Sequence, residues 1–478
     1  MLSAQVDERA PESVGEPPVR AVPLGVGAGS RGRALRLSRR HAQRAAAIGR
    51  GGLLWLIAYA FTLGDASTGT AIAGATLVTV VWLATIHATA PTTRLITPVV
   101  GFVGRAAIAT AAGFAAVSAL SLWTPWLSLG PVEVLAMTGL SFVVLAAWEA
   151  VVGRSVAARK RVLVVGASDG GAELVDELAL ARHCPFEVIG FVDDERGTDR
   201  IAGAARFGSI DDLPWVLDVQ RPDLVVLAVS RNRPEAFSSL MNGAASGFEL
   251  LGLPEFHEQA FGRVPIRHLT PAWFMSVLHF YRRPYSQLSK RVFDIVVASI
   301  GLALTAPLFP LVYLLVKRSP GPAIFRQTRL GEGGRHFTMI KFRTMRQDAE
   351  DGGLPIWAEE RDPRITPVGR FLRKTRLDEL PQLWNVLRGD MSIVGPRPER
   401  PEFLEYLHTA VPYWTKRHLV KPGITGWAQL RRGYTADAEG TADKLSYDLW
   451  YLRHRSLLID LAICAKTMGV LLSGSGSR

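Results

Sequence analysis

Two adjacent acids, Asp378 and Glu379, stand among a dense set of basic residues. Phosphoryl transfer requires cations that hold anionic oxygens, a nucleophile or a positioned acceptor, and usually a divalent metal that balances charge. Arginine also grips phosphate through two parallel hydrogen bonds. The residue types therefore indicate phosphoryl-transfer chemistry around the acid pair. The candidate phosphate ligands are Lys341, Arg343, Arg373, Lys374, Arg376 and Arg397.

Pro381 indicates where the helix LPQLWNVL begins, because proline is tolerated only in the first turn of a helix. Asp378 is therefore expected at a helix N-terminus, whose positive end favours an ionised acid and bound phosphate. An acid in such surroundings can attack phosphorus as a carboxylate nucleophile. The alternative is that Asp378 only caps the helix, and the residues around it favour the first interpretation without excluding the second.

The part of the chain that precedes the acid pair is rich in apolar and basic residues. Hydrophobic residues make up 48% of the 478 residues and the formal net charge is +12, as is typical of a membrane protein with basic cytosolic faces. Basic residues lie in the tail before the first segment, in the connection after the second and in the exit after the fourth, whereas the connections after the first and third carry none. The positive-inside rule therefore places both ends of the bundle in the cytoplasm. A soluble helical core is the alternative. Four segments near the ~20 residues of a spanning helix predict a four-helix transmembrane bundle, at 46–64, 70–90, 101–122 and 132–152.

In the middle of the chain, short β-branched runs alternate with helical stretches, which predicts a Rossmann-like α/β domain with a parallel sheet. The first turn carries Gly166 and Gly171 of a dinucleotide fingerprint, but Ser168 replaces the middle glycine. Asp193 and Asp194 follow the second strand, where a ribose-binding acid would stand. A structural or regulatory domain that binds no nucleotide is the alternative, and the partial fingerprint favours it.

Val292 to Val316 is a mostly apolar stretch with a pair of basic residues at each end. Pro307 and Pro310 interrupt it, and each removes a helix hydrogen bond. A hairpin that dips into the membrane and returns to the cytoplasmic face is therefore expected. The alternative, a straight fifth spanning helix, would place the rest of the chain on the outer side.

Three motifs follow one another in the last third of the chain: KFRTM, LDELPQLWNVLRGDMSIVGPRP and KPGITGWAQ. With them, the region from Lys290 to about Gly469 resembles the bacterial sugar transferases. These are the polyprenyl-phosphate hexose-1-phosphate transferases that begin exopolysaccharide, capsule or O-antigen assembly. The whole arrangement is similar to the long members of that family. We expect a disordered basic tail (1–45), a transmembrane domain (46–155), a Rossmann-like domain (156–255), a linker (256–288) and a mainly α-helical catalytic domain (289–478) anchored by the re-entrant helix 292–316.

The resemblance implies a reaction in two steps. The carboxylate that matches Asp378 attacks the sugar-bearing phosphorus of a UDP-sugar and releases UMP, and undecaprenyl phosphate then takes the sugar phosphate. Glu379 matches the second acid of the pair, with a role at Mg²⁺ or in positioning. The family's Ser-Pro helix break is matched by Ala306 and Pro307, so the break depends on proline here. Further residues that match the family's functional positions are Lys341, Arg373, Arg397 and Asp460.

The resemblance also sets the expected partners. UDP-glucose is the first expected donor and UDP-galactose the second, and an N-acetylated sugar is a further alternative. The catalytic domain is expected on the cytoplasmic side of the bacterial inner membrane. The middle domain could pair two subunits as a homodimer, and no nucleic acid is expected. One rival is a membrane-anchored nucleotide-sugar dehydratase or epimerase, but residues 159–255 contain no tyrosine for its Tyr-x-x-x-Lys pair. The other is a non-enzymatic basic membrane protein, whose cations would follow a stripe instead of surrounding one acid pair.

Overall fold

The computed structural model describes most of the chain from residue 28 onward. Of the predicted tail over 1–45, residues 1–27 lie outside the described residues, whereas the rest of it is helical from Ala28 onward. The basic exit from the apolar region over 152–158 and Ser168 also lie outside the described residues. The described residues are 28–63, 67–124, 129–148, 151, 159–166, 169–181, 184–194, 200–201, 203–228, 247–269, 271–281, 284–347, 349, 362–432 and 438–473.

Three long helices form the N-terminal part: α1 (Ala28–Thr62), α2 (Thr68–Trp123) and α3 (Pro131–Trp148). In the described chain, three stretches are long and apolar enough to cross a bilayer, and a bent helix pair further along raises the number to four if it counts as one span. The chain is therefore a membrane-associated protein with three or four candidate apolar helices. The three stretches are Ala45–Thr62, Thr68–His87 and Pro131–Trp148.

Helix α2 spans 56 residues, where the sequence predicted two separate segments. Its two halves nevertheless lie side by side, because a Cβ atom added at Gly113 would be 2.5 Å from the indole of Trp82. A straight helix would separate these residues by about 46 Å at 1.5 Å per residue. The chain therefore reverses between them, and both halves share one buried cluster with α1 and α3.

The middle of the chain contains a four-stranded parallel sheet, as expected, in the order β2-β1-β5-β6. Buried residues cover both of its faces, as parallel sheets require. Its Rossmann-like assignment stays a prediction. The elements of this part are β1 (Lys160–Val165), α4 (Asp169–Leu180), β2 (Phe186–Val192), β3 (Arg200–Ile201), β4 (Ala204–Ala205), α5 (Leu213–Gln220), β5 (Leu224–Leu227), β6 (Glu249–Gly252) and α6 (Leu253–Phe261).

The glycines of the first turn have packing roles. Gly166 follows β1 with a φ of 102°, which favours glycine. A Cβ atom at Gly171 would collide with the carbonyl oxygen of Gly166, so only glycine lets α4 pass this close to the strand. Asp194 accepts a hydrogen bond from the backbone of Ile210 at 2.8 Å. These contacts fix the turn between β1 and α4 and the end of β2, and whether the domain binds a nucleotide stays open.

The remaining elements belong to the C-terminal half, where the expected linker 256–288 also contributes buried side chains, Val264 and Trp273 among them, to the main hydrophobic core. The elements are α7 (Pro271–Tyr281), α8 (Pro284–Thr305), α9 (Leu308–Lys317), β7 (Ile324–Leu330), β8 (His336–Phe342), α10 (Pro367–Thr375), α11 (Gln382–Arg388), β9 (Ser392–Val394), α12 (Leu404–Ala410), β10 (Gly423–Thr425), α13 (Trp427–Arg431), α14 (Ala438–His454) and α15 (Leu457–Ser473). Strands β7 and β8 pair antiparallel, and β9 and β10 pair in parallel.

Helices α8 and α9 form the apolar hairpin, with a bend of 66° between them. The break falls at Ala306 and Pro307, and Pro307 caps the second helix. Pro310 lies in the first turn of α9, where proline costs no hydrogen bond. The broken helix is therefore as expected, and Pro307 accounts for the break without the family's serine.

Candidate active site

Asp378 lies in a short turn between two helices. Arg376 ends α10 in the left-handed conformation, with a φ of 57°. A single 3₁₀ turn, Leu377–Glu379, follows, and Pro381 then caps α11. Asp378 is therefore not the N-cap residue of α11, and the capping alternative is not supported. The tight reversal at Arg376 brings the end of α10 and the acid pair to the same place.

The Asp378 side chain is buried, and its hydrogen-bonding capacity is not fully used. Its exposed fraction is 6%, and in the described part of the chain Oδ1 has no hydrogen-bond partner. Burial, and next the neighbouring Glu379 carboxylate, raises its pKa to about 6, while Lys341, Arg373 and Arg376 act in the opposite direction. A buried carboxylate oxygen with no partner costs free energy, so its retention points to a reacting or ligand-binding role.

Lys341 faces the acid pair from strand β8. Burial first, and then the charge of Arg329, lowers its pKa to about 8, whereas Asp378 acts to raise it. Its ammonium group lies 5.2 Å from the centre of the Phe325 ring on the paired strand. The structure thus brings together a partly buried lysine and a buried aspartate whose pKa values are both displaced toward neutrality, as is common at catalytic sites.

Glu379 forms ion pairs with two arginines through the same oxygen. Its Oε1 lies 3.5 Å from Arg376 and 3.4 Å from Arg397. Arg397 follows β9 between two prolines and keeps a half-exposed guanidinium. Arg373 is positioned from α10, where its Nε donates to Thr344 at 2.9 Å. The predicted Lys341, Arg373 and Arg397 therefore converge with Asp378 and Glu379 on one site.

Two predicted residues lie elsewhere. Arg343 is 6% exposed and binds the end of the apolar hairpin: its Nη2 donates to the carbonyls of Val316 (3.2 Å) and Ser319 (2.9 Å), and its Nη1 to that of Pro320. Asp460 is 2% exposed and accepts from Tyr451 at 2.8 Å, with Lys290 at 2.7 Å. The structure does not bring either residue to the Asp378 carboxylate.

The sequence reasoning missed a buried support beneath Arg397. Arg417 is 3% exposed, and its Nη2 donates to the backbone oxygen of Arg397 at 3.1 Å. The same guanidinium pairs with Asp448 at 2.8 Å and with Glu399 at 3.4 Å, and it stacks 4.3 Å above the Trp414 ring. In sequence, Arg417 stands in a surface-like TKRH stretch, and no signal there distinguished it.

The acid pair is also the place where a divalent ion fits. No group of three or more metal-binding side chains was found among the described residues. Mg²⁺ is usually bound by one or two carboxylates together with substrate phosphates, so a larger cluster is not required. The unpartnered Oδ1 of Asp378 and the adjacent Glu379 supply such a pair.

The region that contains this site is also the region that is similar to known proteins. Residues 285–474 match the family model described as bacterial sugar transferase. The chain is 47% identical over 189 residues to the UDP-glucose:undecaprenyl-phosphate glucose-1-phosphate transferase of Caulobacter vibrioides, covering 39% of this chain and 70% of that protein. It is 42% identical over 235 residues to the UDP-N-acetylgalactosamine-undecaprenyl-phosphate N-acetylgalactosaminephosphotransferase of Aeromonas hydrophila, covering 48% and 55%.

A third relative extends the match toward the N-terminus. The undecaprenyl-phosphate glucose phosphotransferase of Komagataeibacter xylinus is 31% identical over 320 residues, covering 65% of this chain and 58% of that protein. The chain thus spans just over half the length of this relative and of the Aeromonas one. By its coverage of the Caulobacter protein, and by the family match that includes the Asp378 site, the chain belongs to the bacterial sugar transferase family.

Proposed function

We propose that the chain transfers a hexose 1-phosphate from a UDP-sugar to undecaprenyl phosphate and releases UMP. The observation that carries this proposal is the buried, unpartnered carboxylate oxygen of Asp378 among cations, next to an apolar broken helix. The names of the family relatives support the donor and acceptor classes. UDP-glucose or UDP-galactose is the expected donor, although the relatives include enzymes named for glucose and for N-acetylgalactosamine. The product would be the first lipid-linked intermediate of exopolysaccharide or capsule assembly.

The reaction proceeds in two displacements. An oxygen of the Asp378 carboxylate forms a bond to the sugar-bearing phosphorus, and the bond from that phosphorus to the oxygen of UMP breaks. A phosphate oxygen of undecaprenyl phosphate then attacks the same phosphorus, and the bond to Asp378 breaks. The carboxylate is regenerated, and the sugar phosphate is now joined to the lipid as a diphosphate.

The surrounding cations stabilise the charge that develops in both steps. Lys341 and Arg373 flank the carboxylate, and Arg397 faces the second acid at the exposed side of the site. Fixed cations in a partly buried site stabilise developing phosphate charge without reorganisation. Asp378 and Glu379 would hold Mg²⁺, and the ion would supply positive charge against the developing negative charge of the leaving group.

The hairpin explains how a soluble donor meets a lipid acceptor. At its first helix, Arg291 donates to the carbonyls of Val386 and Leu387 in α11, each at 2.7 Å. At its second helix, Arg343 binds the carbonyls at the end of α9. Both ends are thus bound by the same catalytic unit, which supports a re-entrant hairpin over a spanning helix. This arrangement and the basic loops support a catalytic unit on the cytoplasmic face of the inner membrane, where sugar nucleotides are found.

The test uses membranes that contain the full chain, Mg²⁺, undecaprenyl phosphate and one UDP-sugar at a time. One donor should yield UMP and a sugar-linked lipid, and it would identify the hexose. Without the lipid acceptor, a donor labelled in its sugar should leave label on the protein. Asp378→Asn should abolish that label, and Asp390→Asn, an acid at the far end of α11, should retain it. Full label on Asp378→Asn would exclude this residue as the nucleophile.

A further inference from the structure

A second charged cavity lies at the beginning of the hairpin, apart from the Asp378 site. Its volume is about 780 Å³. His336, at the first position of β8, lines it, whereas Lys341 stands near the other end of that strand, about 17 Å away at 3.3 Å per residue. Asp378 and Glu379 are not among its described lining residues. The basic side chains that line it are Lys290, Arg291, Arg335, His336, Lys421 and Arg455.

Two of these cations, Arg291 and Lys421, lie close to Gly389, which has no side chain to fill the space between them. A Cβ atom added at Gly389 would lie 3.6 Å from Arg291 and 3.7 Å from the ammonium of Lys421. Gly389 ends α11 with a φ of 98°, so glycine is favoured there for its backbone as well. Arg291 donates to two backbone carbonyls, which are neutral acceptors, and among the described residues it has no ion pair with a carboxylate. A positively charged recess therefore opens between α8 and the end of α11.

The acids in the cavity wall do not cancel this charge. Asp294 is 2% exposed and is engaged by Lys290 at 3.2 Å, by the Ser392 hydroxyl at 3.0 Å and by a backbone amide at 3.1 Å. Asp390 lines the cavity and pairs at 3.1 Å with Arg388, which lies outside the cavity wall. Glu332 is the remaining carboxylate of the wall. The permanent cations of the wall outnumber its carboxylates, so the cavity suits an anion.

The position of the cavity indicates what kind of anion reaches it. Leu288 and Val292, which flank the two hairpin cations Lys290 and Arg291 in sequence, are 67% and 53% exposed. Large exposed apolar side chains on a membrane hairpin are covered by hydrocarbon, and cations beside them then lie at headgroup level. An anion bound here is thus held at the depth of lipid phosphates.

We propose that this cavity binds the phosphate of a membrane lipid, in addition to the phosphate that reacts at Asp378. The occupant is either an anionic phospholipid or a waiting molecule of undecaprenyl phosphate, since both offer a phosphate at this depth. The bound headgroup fixes the hairpin's first helix, and with it α11, against the membrane surface. This proposal needs the membrane hairpin but does not depend on transfer activity.

The test measures lipid binding directly. The full chain is placed in nanodiscs of phosphatidylcholine with a trace of phosphatidylglycerol spin-labelled on its acyl chain, and the protein-immobilised fraction is measured. Lys421→Gln should lower the preference for phosphatidylglycerol about fivefold, as expected for one basic residue at an anionic lipid surface, and Lys421→Gln with Arg335→Gln should lower it further. Lys416→Gln, an exposed lysine outside the cavity wall, is the matched control and should have little effect.

Added unlabelled undecaprenyl phosphate distinguishes the two lipids. Displacement of the label from the wild type, but not from the double variant, would assign the cavity to the acceptor. Labelled phosphatidylglycerol that stays bound would assign the cavity to a phospholipid. The proposal is overturned if the double variant, with unchanged thermal unfolding, immobilises phosphatidylglycerol as the wild type does. Because this readout is lipid binding, its failure is separable from any failure of UMP release.

Discussion

Asp378 and Asp460 are both buried acids in one catalytic unit, and burial raises the pKa of each, but their surroundings differ. Both oxygens of Asp460 are engaged, one by the Tyr451 hydroxyl and the other by the ammonium of Lys290. Asp378 has cations around it, yet its Oδ1 has no hydrogen-bond partner in the described structure. A buried acid whose oxygens both have partners joins segments of the fold, whereas one with an unpartnered oxygen is available for bond formation.

The strongest test of the difference between the two acids is to replace each of them by its amide. Asp378→Asn should reduce UMP release by on the order of a thousandfold or more, because the attacking oxygen is lost. Its thermal stability should be unchanged or higher. The pKa of about 6 in the folded protein lies above the ordinary value of 3.8, so the ionised form is disfavoured in the fold and its cost at neutral pH disappears in the variant.

Asp460→Asn should show the reverse pattern. Removal of one partner from a buried ion pair destabilises a protein, here by on the order of 1 kcal/mol, because Lys290 loses its nearest counter-charge but keeps Asp294 at 3.2 Å. Thermal unfolding followed by tryptophan fluorescence should shift to lower temperature, while the KM for the UDP-sugar stays constant in the protein that remains folded. An Asp460→Asn protein with wild-type stability and no activity would restore a direct functional role for this acid.

The pH dependence sharpens the account of the Asp378 site. As pH falls below about 6, Asp378 takes up a proton and loses its nucleophilic form; as pH rises above about 8, Lys341 loses its charge. The kcat/KM for the UDP-sugar should therefore follow a bell with limbs near these values, falling up to about tenfold per pH unit outside them.

Lys341→Arg tests the assignment of the alkaline limb. A guanidinium stays protonated throughout this range, so the alkaline limb should move upward while the acid limb stays near 6. Activity would be lower overall, but the shape of the profile is the readout. An alkaline limb that keeps its place in this variant would show that another group titrates there.

The smallest expected effect concerns the support under Arg397. Arg417→Lys keeps the charge but cannot bind the Arg397 carbonyl, Asp448 and Glu399 together. We expect kcat/KM to fall about tenfold, mainly through KM, because misplacement of a substrate-binding group weakens positioning. Lys416→Met, at the exposed neighbouring position, should leave both constants unchanged. A stable Arg417→Lys protein with wild-type kinetics would reduce Arg417 to a packing role.

Much of the site was predictable because its elements are local. Pro381 marks the turn before α11, and the adjacent acids precede it within the same motif. Likewise Pro307 marks the hairpin break, since proline disrupts a helix through its own covalent structure. Such features depend on a few neighbouring residues and can therefore be recognised from the sequence alone.

Other roles were not predictable, because they depend on contacts between distant segments. In sequence, Arg343 is as good a phosphate ligand as Arg373, yet it lies beside the end of α9 and binds carbonyls there. Arg417 and Asp448 are 31 positions apart and meet only in the folded core. A guanidinium binds carbonyl, carboxylate and phosphate oxygens alike, so residue type alone cannot assign its partner.

The amino-acid sequence by itself determined which chemistry is available: an acid pair, surplus cations, apolar segments and a proline break, all in an order that the family shares. Only the tertiary structure decided which acid keeps an unpartnered oxygen and which cations face it. The physical reason is that composition and spacing set charge, hydrophobicity and local conformation. Desolvation, hydrogen-bond satisfaction and the distances between charges arise only when distant segments pack together.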